Sequence, residues 1–321
     1  MATEFKNLLV VLRDNLKGDY ALENPAVARA ILLARRFEAS LHFFQTVHNA
    51  SIVQNPLTSS PDSLLWQQDL LRAEERRIQE LVQRVAHTSG LDTSGSAALD
   101  FPRSAAVMRR AQSLGADLIL KESREESFVL GLLSNTDWEL IRDAEVPVWL
   151  VSKNLEPASG IVAAVECQTG KDGDLQLDRK VFEVATALSK QFDAKLHLVH
   201  AFQVPAVDAY KGYMPLYPGE VFSPDTVATL EADAARERER VARRHGQSIH
   251  DFVKRYEIDL DDIVVVEGPT QQVIKVEAEH HQAGLIVMGA SPDKGRWDRL
   301  LGRVTAEPAL EDAPCDILFV H

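Results

Sequence analysis

Eight residues, Phe37-Glu-Ala-Ser-Leu-His-Phe-Phe44, recur later in the chain as Phe192-Asp-Ala-Lys-Leu-His-Leu-Val199. Four positions are identical, and both copies fall where a helical pattern gives way to a strand. Self-similarity at a fixed spacing marks one structural plan used twice. Folding 321 residues therefore reduces to folding one half and repeating it. The remaining segments can be laid on one another from this anchor.

Leu8–Leu12 and Ile161–Val165 are continuous apolar runs, the pattern of a parallel strand buried on both faces. In the first half Asn24-Pro25 supplies a cap and a proline at the first helical position, opening a helix that runs to Phe37. A long charged helix follows in each half. Ser60-Pro61-Asp62 opens the first, which reaches about His87, and Ser223-Pro224-Asp225 opens the second, which reaches about Tyr256. The third strands are expected at Ala97–Asp100 and Ile263–Glu267, and the fourth at Leu118–Lys121 and Leu285–Met288. The fifth are expected at Val146–Val151 and Asp316–Val320. Strands alternating with helices predict an α/β fold of two tandem doubly wound parallel-sheet domains. Their expected bounds are 1–152 and 158–321, joined through Ser152–Gly160.

Charge and cysteine usage narrow the function classes. A formal net charge of −13 opposes binding to phosphate backbones or anionic lipid, so neither nucleic acid nor membrane is an expected partner. Arg243, Arg244 and His245 are read as a solvated helix face. Two cysteines, Cys167 and Cys315, make neither a disulfide framework nor a zinc site. The N-terminus lacks a secretory pattern and no apolar run approaches membrane-spanning length, so a soluble cytoplasmic protein is expected.

Val287-Met288-Gly289 closes the fourth strand of the second half, and Gly295 and Gly302 follow. Glycines beyond the carboxyl end of a parallel strand let backbone amides approach a phosphate; equally, they make turns. Tyr210, Tyr213, Met214, Leu216, Tyr217 and Phe222 lie in the loop after the second strand of that half. They would form a lid, an apolar pocket or a partner surface, or pack as a local core. His197 and His200, three apart in a strand, point to opposite faces and so do not make a metal pair. His280 and His281 are adjacent at a helix end, and no metal-binding motif is present. Neither GxGxxG, nor a P-loop, nor GxSxG occurs, and no residue nominates itself as catalytic.

The ordered segments IVAAVE (Ile161–Glu166), VVVEGP (Val264–Pro269), LIVMGAS (Leu285–Ser291), LLGRVTAE (Leu300–Glu307) and APCDILFV (Ala313–Val320) resemble a universal stress protein domain. The first half is similar to the divergent N-terminal copy of tandem members of the family, with Thr136-Asp137-Trp138 and Pro147-Val148-Trp149 carrying the likeness. The resemblance implies an adenine nucleotide, ATP with magnesium, bound in the second domain, and at most a weak ATPase. Its residues there would be Val165, Glu166, Ala201, Met288, Gly289, Ser291, Gly295, Gly302, Arg303 and Thr305. Two positions depart from the family's glycine pattern: Pro292 replaces the second glycine and removes an amide donor, and Arg303 replaces the final hydroxyl residue. Glu166 is the acid expected near ribose and adenine, where a carboxylate accepts hydrogen bonds from hydroxyls or an amino group; otherwise it is an exposed strand-end acid.

In the first half those positions carry Arg13 and Glu122, and Glu122, Glu125 and Glu126 would repel a polyphosphate. Loss of nucleotide binding by that copy is expected. The resemblance also implies pairing through fifth strands, making the two domains a pseudo-dimer; a further homodimer stays open. The expected role is a stress-response module switched by a small ligand. The alternative is a tandem scaffold, or a carrier of an apolar ligand under the aromatic loop.

Overall fold

The structure is a computed structural model that describes residues 5–13, 22–47, 61–123, 135–152, 160–167, 172–204, 224–256, 263–290 and 314–321. In chain order the first half contributes β1 (Asn7–Val11), α1 (Pro25–Phe37), β2 (Ser40–Val47), α2 (Pro61–Ser89), β3 (Thr93–Leu99), α3 (Arg103–Leu114), β4 (Leu118–Glu122), α4 (Asn135–Asp143) and β5 (Val148–Val151). The second contributes β6 (Gly160–Ala164), α5 (Asp172–Phe192), β7 (Lys195–Phe202), α6 (Pro224–Arg255), β8 (Ile263–Glu267), α7 (Thr270–His280), β9 (Ala283–Gly289) and β10 (Asp316–Val320). The ten strands form one sheet in the order β3-β2-β1-β4-β5-β10-β9-β6-β7-β8. Every pairing is parallel except β5 with β10, which is antiparallel. Each half is thus doubly wound about its own first and fourth strands.

Strand alternation sends side chains into two apolar layers. Leu8, Val10, Leu120, Trp149, Ile161, Ala163, Val287 and Leu318 face α1, α2, α5 and α6. Leu9, Val11, Ile119, Leu150, Val162, Ala164, Met288 and Phe319 face α3, α4 and α7. Both faces are covered, which is why the central strands read as unbroken apolar runs.

Local chemistry sets the ends of α1. Asn24 Oδ1 accepts from the N–H groups of Ala26 and Val27 at 3.0 and 3.2 Å, with Pro25 filling the first helical position. Glu38 closes the helix in the left-handed region at φ 52°. The third strand of the first half begins at Thr93, four residues before the expected Ala97. Its Thr-Ser-Gly-Ser start carries no apolar signal: α2 presses against Gly95, and the Ser94 and Ser96 hydroxyls meet the His42 ring on the opposite face. The fifth strand starts at Val148, two residues after the expected Val146. The serines expected to cap the two long helices, Ser60 and Ser223, lie outside the described residues.

Candidate functional site

In an open α/β sheet the crevice for a ligand opens beyond the carboxyl ends of the two strands where the winding reverses. Here those strands are β1 and β4 in the first half and β6 and β9 in the second. The two crevices are built from opposite chemistry.

At the first, Arg13 Nη1 lies 3.3 Å from Glu122 Oε1, and Arg13 Nη2 donates to the carbonyl of Ser123 at 3.1 Å. Asn24 Nδ2 donates to the other oxygen of Glu122 at 3.0 Å while its Oδ1 caps α1. Glu122 is 4% exposed. It therefore does not stand as the unmatched repelling acid expected from the sequence: Arg13 and Asn24 meet its charge at this strand end. One position along β4, Lys121 is ion-paired with the buried Asp137 at the start of α4. Glu125 and Glu126 lie outside the described residues.

At the second crevice the register pairs Ala164 with Met288, so Val165 and Gly289 follow as neighbours at the sheet edge. Met288 and Val165 are buried and Glu166 is partly buried. The Val165 N–H donates to Val199 O at 3.1 Å, and Ala201 lies two residues beyond on β7, opposite Val266 of β8. Val165, Glu166, Ala201, Met288 and Gly289 thus share one edge. Ser291, Gly295, Gly302, Arg303 and Thr305, with Pro292 and the aromatic loop from Tyr210 to Phe222, lie outside the described residues. Gly289 also has a packing reason: a Cβ there would stand 2.8 Å from Leu177 Cγ on α5.

Two buried polar side chains hold this edge: Asp178, which the sequence did not single out, and His200, which it read as no metal ligand. Asp178 of α5, 1% exposed, accepts from the backbone N–H groups of Glu166 and Cys167 at 3.2 and 2.8 Å. This pins a turn in which Cys167 adopts φ 46°. His200, also 1% exposed, holds the Val165 carbonyl through Nδ1 at 2.9 Å and meets His245 Nδ1 through Nε2 at 2.7 Å. A carbonyl only accepts, so His200 carries its proton on Nδ1 and its Nε2 accepts from His245. Burial pulls the His200 imidazole down to about 4. The expected solvated face of α6 needs correction here: Arg243 and Arg244 are exposed, but His245 turns inward and stacks on Phe202 at 4.9 Å. The signal available for Asp178 was its place on the apolar stripe of α5 with Leu177, Val181, Val184, Ala185 and Leu188.

The remaining histidines sit elsewhere. His197 stacks on His281 with centroids 3.7 Å apart, on the α7 side, whereas His200 faces α6. The His280 ring lies edge-on to His281 at 4.8 Å. Among the described residues no group of three or more His, Cys, Asp or Glu side chains is placed to hold a metal ion. Nor is any described helix long and apolar enough to cross a membrane. Burial pushes the Cys315 thiol up to about 12, which makes it unreactive.

Two doubly wound α/β halves, each with its winding reversal between its first and fourth strands, define a tandem α/β protein. The universal stress protein family model matches residues 5–152 and again 170–321. The chain belongs to the universal stress protein family. It is similar to Universal stress protein E of Escherichia coli (strain K12), 23% identical over 319 residues that cover 98% of this chain and 94% of that one. The Universal stress protein E homolog of Haemophilus influenzae is 21% identical over 324 residues, covering 99% and 97%. Among solved structures, a putative universal stress protein from Pseudomonas aeruginosa UCBPP-PA14 matches with a TM-score of 0.65 at 20% identity, covering 99% of this chain and 94% of that one. One from Archaeoglobus fulgidus matches with a TM-score of 0.60 at 11% identity, covering 99% and 97%. The family supports a stress-response role.

Proposed function

We propose that this protein binds an adenine nucleotide, ATP with magnesium, in the second half only, and that occupancy changes which partners the protein meets under stress. The two halves, 1–152 and 158–321 on this reading, act as one paired unit. The observation that supports the proposal is the difference between the two strand-end turns: in the first half Arg13, Glu122 and Asn24 bond to one another, while in the second Asp178 holds the backbone of the turn that carries Glu166, next to the Val165 and Gly289 strand ends. Chemically, Glu166 suits the hydroxyl and amino groups of an adenosine. The amides around Gly289 and the segment through Ser291, Gly295, Gly302, Arg303 and Thr305 suit phosphates. Binding rather than turnover is the proposed activity.

The test uses paired substitutions. Glu166→Ala is expected to weaken adenosine-containing ligands by roughly tenfold or more, the size of one lost charge-assisted hydrogen bond, and to leave inorganic triphosphate unaffected. Gly302→Asp is expected to abolish nucleotide binding without unfolding the protein. Equal loss for unrelated ligands with Glu166→Ala, or unchanged affinity with Gly302→Asp, overturns the assignment.

A further inference from the structure

The antiparallel pair β5–β10 joins the two halves, and its register is informative: Ile317 opposes Leu150, Leu318 opposes Trp149, and Phe319 opposes Val148. The repeat aligns β5 with β10, so Val148 corresponds to Ile317, Trp149 to Leu318 and Leu150 to Phe319. The pairing is therefore symmetric about the Trp149–Leu318 contact. A second contact obeys the same symmetry: the Gln191 side chain of α5 donates to the carbonyl of Arg36 in α1, and the eight-residue repeat makes these two positions equivalent. A joint this symmetric would in principle also accept two like strands, β10 against a second β10 or β5 against a second β5.

One cluster breaks the symmetry. Asp316, 0% exposed at the start of β10, is surrounded by first-half donors. Arg29 Nε of α1 stands 2.8 Å from Oδ2, and Trp149 Nε1 donates to Oδ2 at 2.8 Å. Ser152 donates to Oδ1 from its backbone N–H at 2.9 Å and its hydroxyl at 3.1 Å. None of the three donor side chains exists at the equivalent second-half position: Val184 stands for Arg29, Leu318 for Trp149 and His321 for Ser152. Asp316 itself corresponds to Pro147. A β10–β10 joint would bury two aspartates with no arginine and no indole, leaving a backbone N–H and an imidazole. A β5–β5 joint would bury Arg29 against proline. Burial alone pushes the Asp316 carboxyl upward, and Arg29, Trp149 and Ser152 pull it back, so a partner without the arginine and the indole offsets less of the desolvation cost.

We propose that the Asp316–Arg29–Trp149–Ser152 cluster is a partner-selecting lock: β10 accepts the β5 face of the first half and rejects a like half from a second copy. This rests on the proposed pairing of the two halves. Discrimination by an unpaired charge in the wrong complex is a general route to specificity. It confines the surfaces left for other proteins to the edge strands and helix layers rather than the joint.

The covalent connection would mask the preference, so the test removes it after folding. A protease site is placed between Ser152 and Gly160 of the full chain, the folded protein is cut, and the species are counted by native mass spectrometry at pH 8 after exchange with an isotope-labelled preparation. With the lock intact the first-half–second-half species should exceed all like-half dimers by at least about tenfold. In Arg29→Leu/Asp316→Leu the excess should fall to about one to one, the statistical mixture. Asp316→Asn, which keeps the shape and removes the charge, should fall between them and serves if the double variant does not fold. A wholly mixed-half population in both altered proteins overturns the lock while leaving the pairing intact. Separation of the unaltered cut protein into single pieces overturns the pairing itself.

Discussion

The residues that position the crevice are buried polar groups set on apolar faces, and their energetics depend on pH. His200 and His42 are both held down at about 4 by burial, with Arg110 adding to the effect at His42 and the Val165 carbonyl opposing it at His200. The unfolded chain takes up these protons near 6.5 and the native one refuses them until about 4. Stability is therefore fully present above about 6.5 and declines as the pH falls through that window. Each histidine contributes a slope of up to about 1.4 kcal/mol per pH unit there. His245 and His321 shift the same way and steepen the decline. Replacing His200 by Gln, the residue that its first-half counterpart Gln45 already supplies, should remove one proton's share of the slope in urea unfolding between pH 7 and 5. An unchanged slope would mean that His200 is protonated in the native state. At this scale the sequence was only partly legible. Glu166 and Gly289 were visible because their positions follow apolar strands. Asp178, Arg29 and Asp316 were passed over because a single charge on an apolar stripe does not announce its partner.

Among the elements, the helix ends were the most readable. Asn24-Pro25 marks the start of α1 by chemistry that acts within three residues, and the structure starts the helix at Pro25. The edge strand β3 was harder, since its opening residues are small and polar. Gly95 explains the composition: a Cβ there would collide with Ile78 Cγ2 of α2 and stand 3.1 Å from Val82 Cγ2 and 3.2 Å from the Phe43 carbonyl. Gly95→Ala should therefore destabilise the protein by about 1–3 kcal/mol, as overpacking does, although alanine favours neither strand nor turn strongly. A denaturant midpoint equal to that of the unaltered protein would show that α2 lifts away from β3 at no cost. The two long helices were legible in extent from their Ser-Pro-Asp openings and charged faces, whereas the side of the sheet each covers is fixed only by the winding.

For the whole molecule, the repeat gave the architecture, and the differences between the copies carry the proposed function. The sheet runs through both halves by way of β5 and β10, yet the two crevices diverge at the positions of Arg13 and Glu166, and of Glu122 and Gly289. Sequence comparison of the halves exposed those substitutions. It did not show that Arg13, Glu122 and Asn24 bond to one another, because that depends on three segments meeting at the edge of β1 and β4. The two halves thus differ at their strand-end turns, and on the proposed reading only the second takes a ligand. The most direct measurement is a calorimetric titration of ATP, ADP and AMP, with magnesium, into ligand-stripped protein. One saturable site per chain, lost on Glu166→Ala together with Gly302→Asp and unaffected by Arg13→Ala, is the predicted result. Two equal sites, or no heat and no thermal shift with any of the three nucleotides, would contradict it.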